Sequence, residues 1–160
     1  MQTETKTATS VAAQPLPARK QASVTEQPSS TKEQALVQLP LGLLGFEQFK
    51  RFRLVRDPAE APFEWLLSMD DPLLGFLVIS PFTIVPSYQP DIDPQDVEFL
   101  GLGSSDDALV LSTVTLQSNG AATLNLKGPI VFNHRTWVGK QVVPRNAAEY
   151  STRHPLAQAR

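Results

Sequence analysis

This sequence predicts an all-β domain, a small antiparallel barrel-like or sandwich fold with one or two short helical turns, and three observations carry the prediction. Fourteen prolines punctuate the 160 residues, and from Pro58 to Pro94 no stretch between them reaches the length of a typical helix. Short apolar runs lie between these breaks, at 36–39, 49–55, 63–68, 75–80, 108–116, 121–127, 130–133 and 137–143. Many short strands separated by Pro and Gly are the pattern of a sandwich or barrel. All twelve aromatic residues fall between Phe46 and Tyr150, which places the core there.

The elements follow in chain order. The first 34 residues hold ten Ser or Thr, three Pro, and only Val11, Leu16 and Val24 as sizeable aliphatics. Such a segment buries too little apolar area to offset its ordering entropy, so residues 1–34 are expected to be a disordered polar extension. The segment lacks the apolar stretch of a signal peptide, and no run approaches membrane-spanning length. Residues 35–150 form the β domain. Within it, Asp71-Pro72 and Asp93-Pro94 each place an Asp at an N-cap and a Pro at the first helical position, so two short helical turns are expected there.

The run 108–116 carries aliphatics on both faces, with Val110, Val114 and Leu116 on one and Leu109 and Leu111 on the other, which suits a central strand. Ser118-Asn119-Gly120 then reads as a hairpin connection. Leu124, Leu126, Ile130 and Phe132 alternate with polar neighbours, the period of a half-buried strand. Gly128-Pro129 interrupts that run, and Pro129 has no N–H for a ladder, so it should sit at a bulge, an edge or a strand start. Asn133 to Thr136 is a polar turn, and 137–143 returns beside the preceding strand. Trp65 lies in an apolar run and is assigned to the core. The tail 151–160 is polar and expected to fray.

Four stretches in register across about residues 35–150 resemble the flagellar assembly factor FliW family. Asn125-Leu126-Lys127-Gly128-Pro129-Ile130-Val131-Phe132-Asn133, followed by Gly139-Lys140-Gln141-Val142, is similar to the family's "N-L-x-x-P-I-x-x-N" and "G-x-Q-V" runs. Leu41-Gly42-Leu43-Leu44-Gly45-Phe46-Glu47 is similar to its opening motif. The centre matches through Leu66-Leu67-Ser68, Asp71-Pro72, Phe76 to Ser80, and Pro81. Tyr88 stands where a tyrosine is usual. Leu67 replaces the usual glutamine and Gly128 the usual alanine; both changes touch local packing or a contact rather than the fold. The resemblance implies a cytoplasmic, non-enzymatic protein without cofactors, a compact antiparallel β-barrel-like fold, and a monomer when unbound. It implies two protein partners, flagellin and the RNA-binding translational regulator CsrA, with flagellin displacing CsrA and so relieving repression of flagellin synthesis.

Net charge is only −2, but its distribution is uneven. From Asp57 to Leu126 there is no Lys or Arg, while the same 70 residues hold eleven acids. Asp91, Asp93, Asp96, Glu98, Asp106 and Asp107 fall close together and are the candidate partner-binding residues. A negative face repels nucleic acid and attracts basic proteins. Loop acids are also solubility features and helix caps, and Asp71 and Asp93 are adequately explained as caps. A small barrel binding single-stranded RNA is the alternative reading, and it needs a basic, aromatic-studded groove. A carboxylate-based hydrolase ranks further behind.

Nothing in the sequence assembles catalytic machinery. Cysteine is absent, which excludes disulfides and thiolate-bound metal and suits a reducing compartment. His134 lies in the turn after 133 and His154 in the tail, and neither has partners at metal-ligand spacing. No Gly-rich phosphate cradle or nucleophile elbow occurs.

Overall fold

The computed structural model describes residues 31–156. Its strands are β1 (Glu33–Gln38), β2 (Arg51–Arg56), β3 (Phe63–Ser68), β4 (Gly75–Ile79), β5 (Ala108–Leu116), β6 (Ala122–Leu124), β7 (Ile130–Asn133), β8 (Val138–Gln141) and β9 (His154–Pro155). Two short helices, α1 (Pro81–Ile84) and α2 (Pro94–Leu100), lie between β4 and β5. The strands run in the order β4-β3-β2-β1-β8-β7-β5, and a further β4–β5 pairing closes them into a seven-stranded barrel. Closure removes the exposed sheet edge that would otherwise template aggregation. Neighbours are antiparallel apart from a single parallel pair, Gln38 with Val138.

Period-two alternation fills the barrel. Phe52 and Leu54 of β2, Leu66 of β3, Leu111 of β5, and Ile130 and Phe132 of β7 meet in one interior cluster. Phe46, in the loop after β1, closes one end by standing edge-on to Phe76, with centroids 5.1 Å apart and planes at 81°. β7 is buried at all four positions because both of its faces are covered. Ile130 and Phe132 point inward, while Val131 packs outside with Leu100 of α2 and Val142. A third cluster, of Ile79, Tyr88, Val114, Leu124 and Leu126, lies against the outer face of β4 and β5.

β5 is central, as its two-faced pattern requires, pairing with β4, β6 and β7. β6 and β7 are consecutive stretches of one edge. Between the Val114–Leu124 and Leu111–Ile130 pairs, β5 advances three residues while its partner advances six. The surplus forms a bulge over residues 125–129, with Pro129 at its end, where its missing N–H costs no ladder bond. The hairpin between β5 and β6 is tighter in sequence than in shape. Gln117 and Ala121 still exchange a backbone bond (2.7 Å), and Gly120 alone takes a positive φ, 90°. The turn is therefore a longer loop with a glycine at its last bend rather than a two-residue Asn-Gly turn.

Four expectations need correction. Asp71-Pro72 opens no helix. The Asp71 side chain accepts from Leu73 N (3.0 Å) and its carbonyl from Leu74 N (3.0 Å), which makes the tight β3–β4 turn. A helix instead starts at Pro81. Trp65 faces outward and is half-buried, donating its indole N–H to Glu60 (3.1 Å), because alternation along β3 turns Glu64, Leu66 and Ser68 inward. The tail is tied down as far as residue 156: β9 pairs with β6, and Leu126 N donates to Ser151 O (2.9 Å). β1 begins at Glu33, inside the segment expected to be disordered; residues 1–30 and 157–160 lie outside the described residues.

Candidate functional site

The motif residues turn out to be fasteners. Asn125 accepts at one side-chain oxygen from Lys127 N and Gly128 N, both at 3.0 Å, which holds the bulge before β7. Gln141 spans two motifs, accepting from Leu44 N (2.9 Å) and donating to Gly128 O (2.9 Å). Asn133 accepts from Arg135 N (2.8 Å) in the β7–β8 turn and donates to Leu100 O (2.8 Å) at the end of α2. Tyr88 donates its hydroxyl to Leu126 O (2.7 Å), and burial raises its pKa above the usual phenol value. Gly45, also in the opening motif, donates its N–H to Glu47 (3.1 Å). Pro81 starts α1, and Ile130 is core. The Asn125 and Gln141 bonds draw the opening loop, the bulge and the end of β8 together, while those of Asn133 tie the β7–β8 turn to the end of α2.

The six candidate acids lie on α2, on the residues leading into it and on the segment leading to β5, and most are already engaged. Asp91 pairs with Arg145 (3.0 Å), and that hydrogen bond raises the guanidinium's pKa. Asp93 caps α2 by accepting from Gln95 N (2.8 Å). Asp96 is buried and pairs with Lys140. Asp107 accepts from Gly103 N (2.9 Å) and Ser104 N (3.2 Å) and lies 3.3 Å from Arg135. The Gly103 bond foremost, with Arg135 and Ser104, holds its carboxyl below the usual value. Glu98 and Asp106 are exposed, and no ion pair engages either among the described residues. His134 is exposed, with Nε2 2.9 Å from Asp106 O.

Beside these acids lies a feature the sequence did not disclose. A groove of about 420 Å³ runs along the outer face of β5 and β7 under the flank of α2. Its walls are apolar, from Phe82, Pro90, Ile92, Val97, Leu102, Val110 and Val131, with Ser104 and Ser105 at one side. Phe82 remains 41 % exposed and Phe99, at the end of α2, 45 %. Asp91, Asp93 and Asp106 are chain neighbours of the lining residues, so acids border the groove, with Asp91 paired to Arg145. An apolar trough with a charged margin suits a peptide segment that carries hydrophobic anchors and basic flanks.

Among the described residues no group of three or more His, Cys, Asp or Glu is placed to hold a metal, and no helix is long and apolar enough to cross a membrane. Fold and site together define a closed seven-stranded barrel with an external groove flanked by a helix. The model of the FliW protein family matches residues 22–156. The flagellar assembly factor FliW of Clostridium novyi is 38 % identical over 78 % of this chain and 87 % of its own length. That of Treponema pallidum is 37 % identical over 76 % and 80 %. A crystal structure of the flagellar assembly factor FliW superposes with a TM-score of 0.71 at 34 % identity, covering 78 % of this chain and 87 % of the other. The chain belongs to the FliW family.

Proposed function

We propose that this protein is a cytoplasmic flagellar assembly factor that acts by stoichiometric binding and performs no chemistry. Its partners are flagellin, held before export, and a CsrA-type RNA-binding regulator, sequestered when flagellin is scarce. Flagellin displaces the regulator, so the protein reports flagellin level to translation. Membership of a family whose relatives carry the name flagellar assembly factor is the observation that carries this reading. The groove supports it physically: one apolar trough with an acidic margin offers basic or amphipathic segments a shared docking place. Competition is then mass action, each tenfold in affinity being about 1.4 kcal/mol.

Co-purification from lysate with and without flagellin tests both partners at once. The expected result is recovery of the regulator only when flagellin is depleted; recovery of neither would overturn the reading. Charge reversal at the rim belongs at Glu98 and Asp106. Reversing Asp91, Asp93 and Asp96 would break the Arg145 pair, the α2 cap and the buried Lys140 pair, confounding binding with stability. The Glu98→Lys, Asp106→Lys double variant is expected to slow association with the regulator roughly tenfold at low salt, and less as salt screens the field.

A further inference from the structure

The barrel interior opens at the end opposite the Phe46 loop. There the register aligns Glu33, Arg56 and Glu64 in one row across β1, β2 and β3. Arg56 reaches both acids, lying 3.3 Å from Glu64 and 3.5 Å from Glu33. Behind the row lies a cavity of about 240 Å³, walled by Ala35, Leu54 and Trp137. Pockets for drug-sized ligands run roughly from 300 Å³ upward, so this one suits a single side chain.

Two features of this mouth have no structural account. Glu64 is turned into the barrel, with 9 % relative exposure, and its Oε1 is buried with no hydrogen-bond partner. Arg56 reaches only Oε2. A carboxylate oxygen shut from water without a donor is costly, and an aliphatic side chain would pack there at no such cost. Trp137 holds a left-handed backbone (φ 59°), the single non-glycine residue to do so among the described residues. That conformation is a genuine outlier for a bulky side chain. It sets the indole against Phe132, centroids 6.3 Å apart, at the wall of the cavity. Arg56 is the one cation among the described residues lining it, against two carboxylates.

We propose that this mouth receives an arginine side chain of a partner protein, whose guanidinium donates to the free Glu64 Oε1 while its plane rests on the Trp137 ring. A carboxylate has acceptor sites left after one Arg contact, so both guanidiniums fit on Glu64. The incoming charge neutralises the acid–base–acid row. Arginine suits the site better than lysine because its planar, weakly hydrated group both stacks and hydrogen-bonds. The site is separate from the α2 groove, and its test does not depend on the identity of either partner proposed above.

The probes are Nα-acetyl-arginine methylamide and the citrulline counterpart, which keeps the shape and removes the charge. Each is titrated into the full chain while the Trp137 indole N–H is followed by 15N–1H NMR. The expected result is a saturable shift with the arginine probe, at least tenfold weaker with the citrulline one, and weakened by added salt. E64Q, checked for folding by near-UV circular dichroism, is expected to lose tenfold or more. Equal response to the two probes in the native protein, or no response to either, overturns the proposal whether or not the variant folds. Undiminished binding by folded E64Q does so as well.

Discussion

Gly139 stands opposite Phe132 in the β7–β8 ladder, and the ring of Phe132 lies across the space a side chain would fill. A Cβ built at 139 would come within 2.3 Å of one ring carbon, 2.6 Å of the next and 3.0 Å of a third. Carbon atoms rest at about 3.5–4.0 Å, so in Gly139→Ala the ring must retreat by more than 1 Å, a difference set by those two distances. It has nowhere to go. Phe132 is fully buried, with Trp137 beside it and the interior cluster around it. Overpacking of a close-packed core costs about 1–3 kcal/mol, and collision with a rigid ring belongs at the upper end. Alanine recovers about 0.4–1 kcal/mol by restricting the unfolded chain. The expected net loss is about 2 kcal/mol, or roughly 6–8 °C in Tm for a domain of this size.

The assay is urea and thermal unfolding of the native protein, Gly139→Ala, Phe132→Leu and the double variant. Leucine removes the flank of the ring, so the second substitution should relieve the first, with a coupling of at least about 1 kcal/mol. A Gly139→Ala variant within 0.5 kcal/mol of the native protein, a span no larger than an ordinary surface change, would refute the steric argument. Additive losses in the double variant would also refute it.

Three other outcomes are expected. Ser112→Ala should stabilise the fold by about 1 kcal/mol, because Ser112 Oγ is buried between β4 and β5 with no partner; a destabilised variant in denaturant titration would show that the hydroxyl is satisfied. Asn133→Ala should cost about 2–3 kcal/mol by leaving the Leu100 carbonyl unpaired, and amide exchange should quicken first in α2; uniform quickening would argue against local anchoring. Asp107 has a depressed carboxyl pKa, so its contribution is full above the unfolded value of about 3.9 and lost as pH falls through the folded one. The Tm gap between native protein and Asp107→Asn should therefore be widest above pH 4 and close below it, and a gap constant with pH would contradict that assignment.

Strands were legible where alternation or continuous apolarity ran long enough. The readings at 63–68, 108–116 and 130–133 match the observed bounds. β9 was not legible, since two residues carry no period and His154 and Pro155 pair with β6 only through tertiary packing. Asp71-Pro72 misled because an Asp before Pro caps a turn as well as it caps a helix; the four residues left before β4 decide between them, and no local propensity counts them. The acids looked free because their partners Arg135, Lys140 and Arg145 arrive from the β7–β8 hairpin and the chain beyond it, 28 or more residues away in sequence. The groove draws on four separate stretches of chain, so no window of sequence contains it. Glu64 was different. Alternation through 64, 66 and 68 turns an acid inward as surely as it turns Leu66, and trusting that period would have found the mouth.

The signature residues and the binding surfaces answer to different constraints. Asn125, Asn133, Gln141 and Tyr88 spend their polar atoms on backbone inside the fold. They set where the bulge falls, where α2 lands and how the end of the barrel closes, and so they fix the positions of β5, β7 and α2 that wall the groove. Glu98 and Asp106 project from that frame without an ion pair among the described residues, while the part-exposed Phe82 and Phe99 also pack on Tyr88 and under the Lys140 ammonium. Changes at the fasteners should consequently weaken every partner together through stability, while changes at the rim should separate one partner from another.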